Sequence, residues 1–414
     1  MAKVLAYGFP LDANFGGPSV VHGLRAALTS LYPGHELVVY QQRKVDPISV
    51  LDLDFPVREF PYRKRLFKFY RDGLLLKFFG RRSRGASSAR FWDDFCTADA
   101  VVNIYAICFC SPIRTYMSTT SRLHALRILF QAFGIGLMAR LWGKPSVKST
   151  SSFGPIEKGS DAFLARLACR WAFTRIVARE ETGRRELEVR AKVGRRIEVA
   201  PDLANAWRPA RPPVARPRIG VAVSFQSEIQ WQKSGLDYMR FMRELVAHAA
   251  GKDGCEVLLL PNQTVRMGGR TDVAIAEDLR ASLPGLQGIT VFDTISSSPT
   301  ALREAIASCS AIVSCRYHTC VAAFASGVPT LVLGWHCKYE ELVKRYGQER
   351  WMLSTEACAS MDVKKEFDEL WNRRSSIAAE LAARGPDVVA AVVDSISYLL
   401  GRDFGQDKQE RMKK

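Results

Sequence analysis

The chain has 414 residues, of which 47% are hydrophobic and 24% charged, so it is a globular protein of two or three domains and not a disordered chain. Its formal net charge of +17 predicts an anionic partner, which could be nucleic acid, an anionic membrane surface or a small anionic substrate. We expect no nucleic acid, because the sequence has no zinc-finger spacing, aromatic RNA-binding motif or basic helix leading into heptads. It also has neither a signal peptide nor a run of about 20 apolar residues, so we expect a cytoplasmic protein.

Short apolar runs alternate with helical patterns along the first half of the chain. The first run, Lys3–Tyr7, is followed by a glycine-containing turn at Phe15–Ser19 and by helical spacing over Val20–Leu31. Strands that alternate with helices predict a parallel sheet with crossover helices. Further predicted strands are Leu37–Tyr40, Ala100–Tyr105, Ser146–Thr150, Arg175–Ala178 and Ile197–Val199.

A proline- and arginine-rich stretch, residues 208–217, separates the two halves and is predicted to be a linker, because it cannot continue a helix. The sequence therefore predicts two doubly wound, Rossmann-like α/β domains, 1–207 and 218–400, which face each other across a cleft and precede a charged tail, 401–414. In such sheets, ligands bind outside the carboxyl ends of the strands. The predicted strands of the second half are Ile219–Phe225, Glu256–Leu260, Thr290–Phe292, Ala311–Ser314 and Thr330–Leu333.

A basic and aromatic segment, Pro61–Arg90, is predicted to be an insertion in the N-terminal domain. It carries ten Lys or Arg against one acid, Asp72, together with six Phe or Tyr residues. One interpretation is a solvated helix pair with an apolar underside. A second is a flap on an anionic membrane surface, which would make the protein peripheral at the inner face of the membrane. A third is a basic lid over a ligand site.

The most informative motif follows two predicted strands of the second half. Arg316 and His318 come after the strand Ala311–Ser314, and His336 and Lys338 come after the next one. If these strands are parallel neighbours, the four side chains share one rim of the sheet, and His318 lies at a helix N-terminus, where an anion is favoured. Such a rim predicts a phosphate or carboxylate ligand. We expect no metal, because the Cys and His spacings match no zinc pattern and Arg316 would repel the ion.

Comparable junctions between strands and turns occur in the N-terminal half. The hydroxyl-rich segment Ser149–Pro155 follows one predicted strand, and Arg179-Glu180 and Pro201-Asp202 follow two others. The turn Asn14–Ser19 could wrap an anion with its backbone N–H groups. Each of these junctions alone is as consistent with a helix cap as with a binding site.

Together these segments resemble the polysaccharide pyruvyl transferase family over residues from about Tyr7 to Gly347. The specific part is Ser314-x-Arg316-x-His318, and the other segments follow the order and spacing of the family. The first turn departs from it, because Asn14-Phe15-Gly16-Gly17-Pro18 lacks the aspartate of the usual Gly-Asn-x-Gly-Asp-like sequence. The other matching segments are Phe153-Gly154-Pro155, Ala178-Arg179-Glu180, Pro201-Asp202, Gly327-Val328-Pro329 and Lys338.

The resemblance implies a fold similar to B-type glycosyltransferases, with the acceptor side in the N-terminal domain and the donor side in the C-terminal domain. It also implies transfer of pyruvate from phosphoenolpyruvate to a saccharide, free or lipid-linked, as a ketal. The donor has a phosphate and a carboxylate and needs several cations, and protonation of its methylene carbon needs a general acid. No metal or organic cofactor is required. The predicted acid is His318, the predicted donor contacts are Arg179, Arg316, Lys338, His336 and Ser314, and a further pocket comprises Asn14, Gly16, Gly17, Ser152 and Asp202.

Two other functions stay open. The first is a glycosyltransferase of the same shape with a nucleotide-sugar donor, in which Glu340 or Glu341 would bond the ribose. The second is a non-catalytic scaffold that binds anions or glycans, against which His318 argues only weakly. Binding of phosphoenolpyruvate or of uridine diphosphate separates the two enzymes, and turnover of an acceptor excludes the scaffold.

Overall fold

The computed structural model describes residues 2–8, 11, 15–41, 45, 47–61, 66–109, 122–264, 270–401 and 404. The predicted pocket residue Asn14 and most of the predicted charged tail lie outside the described residues. The strands are β1 (Lys3–Tyr7), β2 (Glu36–Gln41), β3 (Val57–Glu59), β4 (Ala100–Asn103), β5 (Ile107–Cys108), β6 (Ser146–Phe153), β7 (Arg175–Ala178), β8 (Glu198–Val199), β9 (Arg218–Ala222), β10 (Glu256–Leu259), β11 (Ile289–Val291), β12 (Ala311–Ser314), β13 (Thr330–Gly334) and β14 (Met352–Ser354).

Helices follow most of the strands. They are α1 (Gly16–Leu31), α2 (Leu66–Phe79), α3 (Ala86–Thr97), α4 (Arg122–Leu141), α5 (Gly159–Trp171), α6 (Glu181–Arg185), α7 (Phe225–Lys233), α8 (Tyr238–Ala250), α9 (Asp272–Ala281), α10 (Pro299–Ala307), α11 (Tyr317–Ala325), α12 (Cys337–Tyr346), α13 (Thr355–Ser360), α14 (Val363–Asn372) and α15 (Arg374–Leu400). A 3-10 turn at Leu203–Ala206 matters for the site described below. In the described part of the chain, no helix combines the length and apolarity needed to cross a bilayer.

The strands form two parallel sheets, one in each half of the chain. The first has the order β3-β2-β1-β4-β6-β7-β8, with β5 paired to β6, and the second has the order β11-β10-β9-β12-β13-β14. The order reverses between β1 and β4 and between β9 and β12, which makes these the switch points where doubly wound sheets bind ligands. The predicted fold of two doubly wound α/β domains is confirmed.

Two local predictions at the edge of the first sheet are wrong. The segment Phe15–Ser19 is not a separate turn, because α1 already begins at Gly16 and a proline is tolerated at Pro18 in the first helical turn. The strand β6 runs on to Phe153, so Ser152 lies in the strand and not in a loop after it. All eight residues of β6 are buried, and neighbouring strands and helices therefore override the turn-forming composition.

The two faces of the first sheet carry different helices. In β1, Val4 and Ala6 pack with α1, whereas Leu5 and Tyr7 pack beneath α2, α3 and α4, as the alternation along a strand requires. Two residues of α2, Leu66 and Phe69, belong to this second core. As far as the structure describes the basic and aromatic segment, it is therefore part of the helical layer.

The last helix connects the two halves of the molecule. Near its start, Ile377 and Leu381 pack in the core of the second sheet, whereas Ile396 and Leu399 pack in the core of the first sheet. The end of α15 therefore lies with the N-terminal core, although the sequence assigns residues up to 400 to the C-terminal domain. Apolar spacing predicts the helix but cannot indicate which of two cores it enters.

Helix α1 packs closely against the turn Leu203–Ala206 where the two domains meet. A side chain at Gly23 would place its Cβ 1.9 Å from the carbonyl oxygen of Leu203, so this contact requires glycine. The same turn begins at Asp202, whose Oδ1 accepts a hydrogen bond from the N–H of Ala204 at 2.9 Å. Helix packing thus holds Asp202 at a defined position where the two domains meet.

Candidate functional site

A small cavity lies between the domains, where the carboxyl ends of β7 and β8 face the first turns of α11 and α12. It contains about 200 Å³ of empty space and is partly open to solvent. Its lining includes Arg179, Glu180, Asp202, Tyr317, Lys338 and Arg345. Side chains from both domains therefore contribute to a single site.

Arg179 follows β7 and is buried on the first-domain side of this cavity. Its Nη2 lies 3.0 Å from Oδ2 of Asp202, and its guanidinium stands 5.2 Å from the ring centre of Tyr317. Burial alone would lower the pKa of Arg179, but the neighbouring Asp202 and Tyr317 raise it above its usual value. Its Nε is buried without a hydrogen-bond partner in the described part of the chain. Arg179 therefore stays charged and keeps one donor unused.

His318 is the second residue of α11, so it lies in the first turn of a helix, and it faces Asp202 across the domain boundary. Its Nε2 lies 3.8 Å from Oδ2 of Asp202, too far for a hydrogen bond, and this nitrogen has no partner among the described residues. Burial and the positive charges of Arg179 and Lys338 lower the pKa of His318 to about 3, although Asp202 opposes them. Without a ligand, the imidazole is therefore neutral at physiological pH.

Lys338 lies at the start of α12 and is surrounded by aromatic rings. Its Nζ is 5.3 Å from the ring centre of Tyr317, 5.0 Å from that of Trp335 and 5.5 Å from that of Tyr339. Burial lowers its pKa to about 8, Arg179 adds to this effect, and Glu180 opposes it. Among the described residues, the ammonium makes neither a hydrogen bond nor a close ion pair, so it is available to an anion.

His336 serves as the N-terminal cap of α12. Its Nδ1 accepts a hydrogen bond from the backbone N–H of Lys338 at 3.3 Å, which requires a neutral ring with its proton on Nε2. Burial and the charge of Lys338 lower the pKa of His336 to about 4. The predicted donor contact is therefore also the residue that fixes the first turn of α12.

Arg316 and Ser314 lie at the switch point of the second sheet, away from the lining of the cavity. The Nη2 of Arg316 donates to Oδ1 of the buried Asp272 and, at 3.2 Å, to Oε1 of Gln263, while Nη1 donates to Oε1 of Gln226 at 3.3 Å. The hydroxyl of Ser314 accepts from the N–H of Arg316 and donates to its carbonyl. Both predicted donor contacts therefore stabilise the turn before α11.

A buried carboxyl group, Glu180, closes one side of the cavity. Its Oε1 accepts a hydrogen bond from the hydroxyl of Ser152 at 2.7 Å, which places the predicted pocket residue Ser152 behind Glu180. Burial raises the pKa of Glu180, while Arg179, Ser152 and Lys338 counteract this effect. Glu180 therefore places a buried carboxyl group with a raised pKa beside Lys338.

The predicted residues fall into three groups. Arg179, Asp202 and Lys338 line the cavity, His318 adjoins it, and His336 and Ser152 support its walls. Arg316 and Ser314 lie at the neighbouring switch point. Gly16 and Gly17 begin α1. Just before them, the N–H of Phe15 donates to the carbonyl of Asn262 in the other domain.

Several cavity residues are absent from the predicted set, among them Tyr317, Arg345 and Asn205. The ring of Tyr317 contacts the guanidinium of Arg179 and the ammonium of Lys338. Arg345 donates from Nη2 to the carbonyl of Arg179 at 3.1 Å across the domain boundary. Asn205 accepts from the hydroxyl of Tyr346 at 3.0 Å. Tyr317 could have been inferred from its place inside the motif, but no pattern marks Arg345 or Asn205. In the part of the chain that the structure describes, no group of three His, Cys, Asp or Glu side chains could hold a metal ion.

The fold is similar to that of several sugar-processing enzymes. A Listeria monocytogenes protein provisionally assigned as a UDP-N-acetylglucosamine 2-epimerase aligns with a TM-score of 0.57 at 12% identity, covering 96% of this chain and 97% of the other. MnaA of S. aureus, solved with UDP, gives 0.56 at 12% identity, covering 97% of each chain. Sucrose-phosphate synthase from Thermosynechococcus elongatus gives 0.52 at 12% identity, covering 96% and 98%. At this identity the likeness concerns the fold alone, which is that of B-type glycosyltransferases and related epimerases.

Sequence comparison identifies the family. No curated protein matches the chain significantly. The sequence profile described as polysaccharide pyruvyl transferase, however, matches residues 14–336, which include Arg179, Asp202 and the Arg316-x-His318 motif and end just before Lys338. The chain therefore belongs to the polysaccharide pyruvyl transferase family.

Proposed function

We propose that this protein transfers the pyruvyl group of phosphoenolpyruvate to a saccharide acceptor and forms a pyruvate ketal. The observation that carries the proposal is a pair of buried nitrogens without hydrogen-bond partners in the described part of the chain, Nε of Arg179 and Nε2 of His318, beside the ammonium of Lys338. Buried polar groups are nearly always hydrogen-bonded, so a cluster without partners indicates a missing ligand. Two fixed cations and a titratable ring suit a small molecule with a phosphate and a carboxylate.

The charges around the cavity support an anionic donor. The guanidinium of Arg179 and the ammonium of Lys338 lie 5.2 Å and 5.3 Å from the ring centre of Tyr317, so one anionic group can interact with both. We assign one anionic group of the donor to Arg179 and Lys338, and propose that Arg316 reaches the donor from the adjacent switch point by exchanging its contact with Asp272.

In the proposed reaction, the Nε2–H of His318 protonates the methylene carbon, which becomes the methyl group. One sugar hydroxyl attacks the resulting cationic carbon and loses its proton, and the bond from this carbon to the phosphate oxygen breaks, releasing phosphate. A second hydroxyl of the same sugar attacks the same carbon and closes the ketal. Of the two hydroxyl protons, one regenerates His318 and the other leaves on the phosphate, so the reaction needs no further co-reactant.

Donor binding would also prepare the acid. The pKa of His318 is about 3 without a ligand, because the ring is buried beside cations. A phosphate or carboxylate placed between Arg179 and Lys338 offsets their charge and favours the protonated ring. The imidazole would therefore gain its proton when the donor arrives.

A glycosyltransferase reaction with a nucleotide-sugar donor is the second candidate. The fold favours it, because a protein of similar fold was solved with UDP. One of the two carboxylates predicted to bond a ribose, Glu341, lines the cavity. The match of the chain to the polysaccharide pyruvyl transferase profile argues for the smaller donor.

The test is a titration of the purified protein with phosphoenolpyruvate and with UDP, followed by an assay of phosphate release with purified lipid-linked and free oligosaccharides. We expect binding of phosphoenolpyruvate and phosphate release that depends on the acceptor. Lys338→Met should abolish donor binding, whereas Lys344→Met, an exposed lysine of the same helix, should not. Binding of UDP alone would favour the glycosyltransferase, and binding without turnover would favour a scaffold.

A further inference from the structure

Three helices of the first domain lie side by side on the outer face of its sheet. The hydroxyl of Tyr70 in α2 donates to the carbonyl of Phe130 in α4 at 2.7 Å, and Lys77 of α2 lies over the ring of Trp142 just beyond α4. Phe133 of α4 packs in one cluster with Ala165 of α5. The outward sides of α2, α4 and α5 therefore form one continuous surface.

Helix α5 exposes a stripe of three large apolar side chains. Phe163 is 64% exposed, Leu167 46% and Trp171 59%, and all three lie on one side of the helix because they are four residues apart. Arg166 and Arg170 are exposed between them. The acid of this helix, Asp161, is buried, so the stripe contains large apolar and cationic side chains only.

The two neighbouring helices repeat this composition. Helix α2 exposes four large apolar side chains together with Lys68, Arg71 and Lys77, and its acid, Asp72, is buried. Among the side chains of α4 that the structure describes, three large apolar ones and Arg140 are exposed, and the sequence of this helix contains no acid. The exposed apolar residues are Phe67, Leu74, Phe78 and Phe79 on α2 and Phe130, Leu137 and Leu141 on α4.

This clustering is not the ordinary scatter of surface apolar residues. Of the 17 large apolar side chains that are exposed in the described part of the chain, ten lie on these three helices. In the second domain, exposed examples such as Leu286, Ile295 and Met361 lie singly, outside helices. Isolated exposed apolar residues need no explanation, but a contiguous patch marks an interaction site.

We propose that the exposed residues of α2, α4 and α5, here called the apolar-basic face, dock onto an anionic lipid bilayer. Rings and leucines interleaved with Lys and Arg match the interface of such a bilayer, where apolar groups enter the headgroup region and cations meet anionic lipids. A second copy of the chain is a poor occupant, because two identical cationic surfaces repel each other. The proposal is independent of the pyruvyl transfer reaction and rests on this surface alone.

Binding to vesicles tests the proposal directly. The full chain is sedimented with vesicles of phosphatidylglycerol and phosphatidylcholine in equal parts, or of phosphatidylcholine alone, at low and at physiological salt. We expect binding to the anionic vesicles that weakens with salt, and little binding to the neutral ones. Arg166→Ser/Arg170→Ser should weaken partitioning by about 10- to 30-fold. Phe163→Ser/Leu167→Ser/Trp171→Ser should weaken it by at least about tenfold.

The matched controls remove similar groups from the second domain. Arg243→Ser/Arg280→Ser removes two exposed arginines from α8 and α9, and Ile295→Ser/Met361→Ser removes two exposed apolar residues. Neither should change partitioning by more than about twofold if docking is local to the apolar-basic face. Circular dichroism and turnover of a soluble acceptor show that each variant is folded.

A second measurement reports insertion without relying on the variants. Brominated lipids in the anionic vesicles should quench tryptophan fluorescence, and Trp171→Phe should remove most of the quenched signal, because Trp171 is the exposed tryptophan of the face. The proposal is overturned if control and face variants lose binding equally, if neutral vesicles bind as well, or if Trp171 is not quenched. It is also overturned if the chain ignores both vesicles and instead dimerises through α5.

Discussion

Arg179 and Arg316 are both buried and both face a buried aspartate, but their surroundings differ. Asp272 accepts hydrogen bonds from Arg316 and from three backbone N–H groups, those of Phe225, Asn262 and Gln263. Asp202 accepts a backbone N–H on one oxygen only, and its Oδ2, which faces Arg179 and His318, has no well-aligned hydrogen bond in the described part of the chain.

This difference separates a closed ion pair from an open one. In the closed pair, both oxygens of Asp272 are hydrogen-bonded within the second domain, although Nε of Arg316, like Nε of Arg179, has no partner in the described part of the chain. The closed pair stabilises the turn before α11. In the open pair, donors from two domains converge on a cavity and none is fully used. A binding site requires such groups, because satisfied polar groups gain little from a ligand. We therefore expect the chemistry on the side of Arg179, with Arg316 in a supporting position.

The largest effect is expected from removing His318, the proposed general acid beside the open ion pair. His318→Ala should lower kcat by roughly 10²–10⁴ and leave the affinity for phosphoenolpyruvate nearly unchanged, since the imidazole acts mainly in the transition state. The control is His248→Ala, which removes a histidine paired with Asp368 on the far side of the second domain. Normal turnover of folded His318→Ala would exclude it from the mechanism.

The pH dependence sharpens the same point. The acid must be protonated, so activity should fall as pH rises through its pKa. This pKa is about 3 in the free protein and should be higher when the donor anion is bound. The profile of kcat should therefore extend to higher pH than that of kcat/KM, which reports the free enzyme. Coincident profiles would contradict protonation by donor binding.

Removing Arg179, the cation of the open ion pair, should have the next largest effect. Arg179→Ala should weaken binding of phosphoenolpyruvate by about 10- to 100-fold, the value of a charge-assisted hydrogen bond. It should also lower the free energy of unfolding by about 3–5 kcal/mol, because Asp202 stays buried without its cation. Calorimetric titration and denaturant unfolding measure the two losses. A large loss of stability with unchanged donor affinity would mean that Arg179 is as structural as Arg316.

Matched lysine substitutions compare the two arginines directly. Arg179→Lys keeps the charge but loses the planar fork, and should weaken donor binding by about tenfold. Arg316→Lys still neutralises Asp272, and its effect on donor affinity should be smaller, since the donor must compete with that carboxylate. Titration of both variants with phosphoenolpyruvate decides the order. An equal or larger effect at Arg316 would reverse it, and full activity of both would show that fork geometry is not needed.

The sequence predicts the fold better than it predicts the site. Parallel strands such as β7 and β12 are recognisable because each is a short apolar run bounded by polar turns. The short strands β3, β5 and β14 are absent from the prediction, since two or three residues give only a weak periodic signal, although the equally short β8 and β11 are recognised.

Within the site, the sequence indicates which residues follow strands but not where their side chains bond. Arg179 and Arg316 look equivalent as residues after a strand, and only the packing of Asp202 against α1 and of Asp272 at the start of α9 distinguishes them. Contacts between distant segments, such as that of Arg345 with the carbonyl of Arg179, leave no local pattern. The exposed residues of α5 are also not recognisable from the sequence, because they form a larger surface only together with those of α2 and α4.

A third buried arginine, Arg303, extends the comparison to a site with no carboxylate bond. It donates to the carbonyls of Ala204 and Trp207, and the ring of Trp207 stacks on His22 with ring centres 3.9 Å apart. Burial, against the opposing charge of Asp52, lowers the pKa of His22 to about 4, compared with about 6.5 in the unfolded chain. Below pH 6.5 the unfolded chain therefore binds a proton that the folded protein does not bind.

The resulting loss of stability is the smallest effect expected here. The free energy of unfolding should fall as pH falls from about 6.5 to about 4, by at most about 1.4 kcal/mol per pH unit from this one group. His22→Phe keeps a planar ring on Trp207 but cannot titrate, so it should lose less stability than the unsubstituted protein between pH 7 and pH 5. Burial lowers the pKa of His318 and His336 in the same direction, but both are present in each protein and cancel in the difference. Urea unfolding of both proteins at the two pH values measures this difference. Equal losses would mean that His22 is accessible to protons in the folded protein, and that the surroundings of Arg303 are open like the cavity beside Arg179.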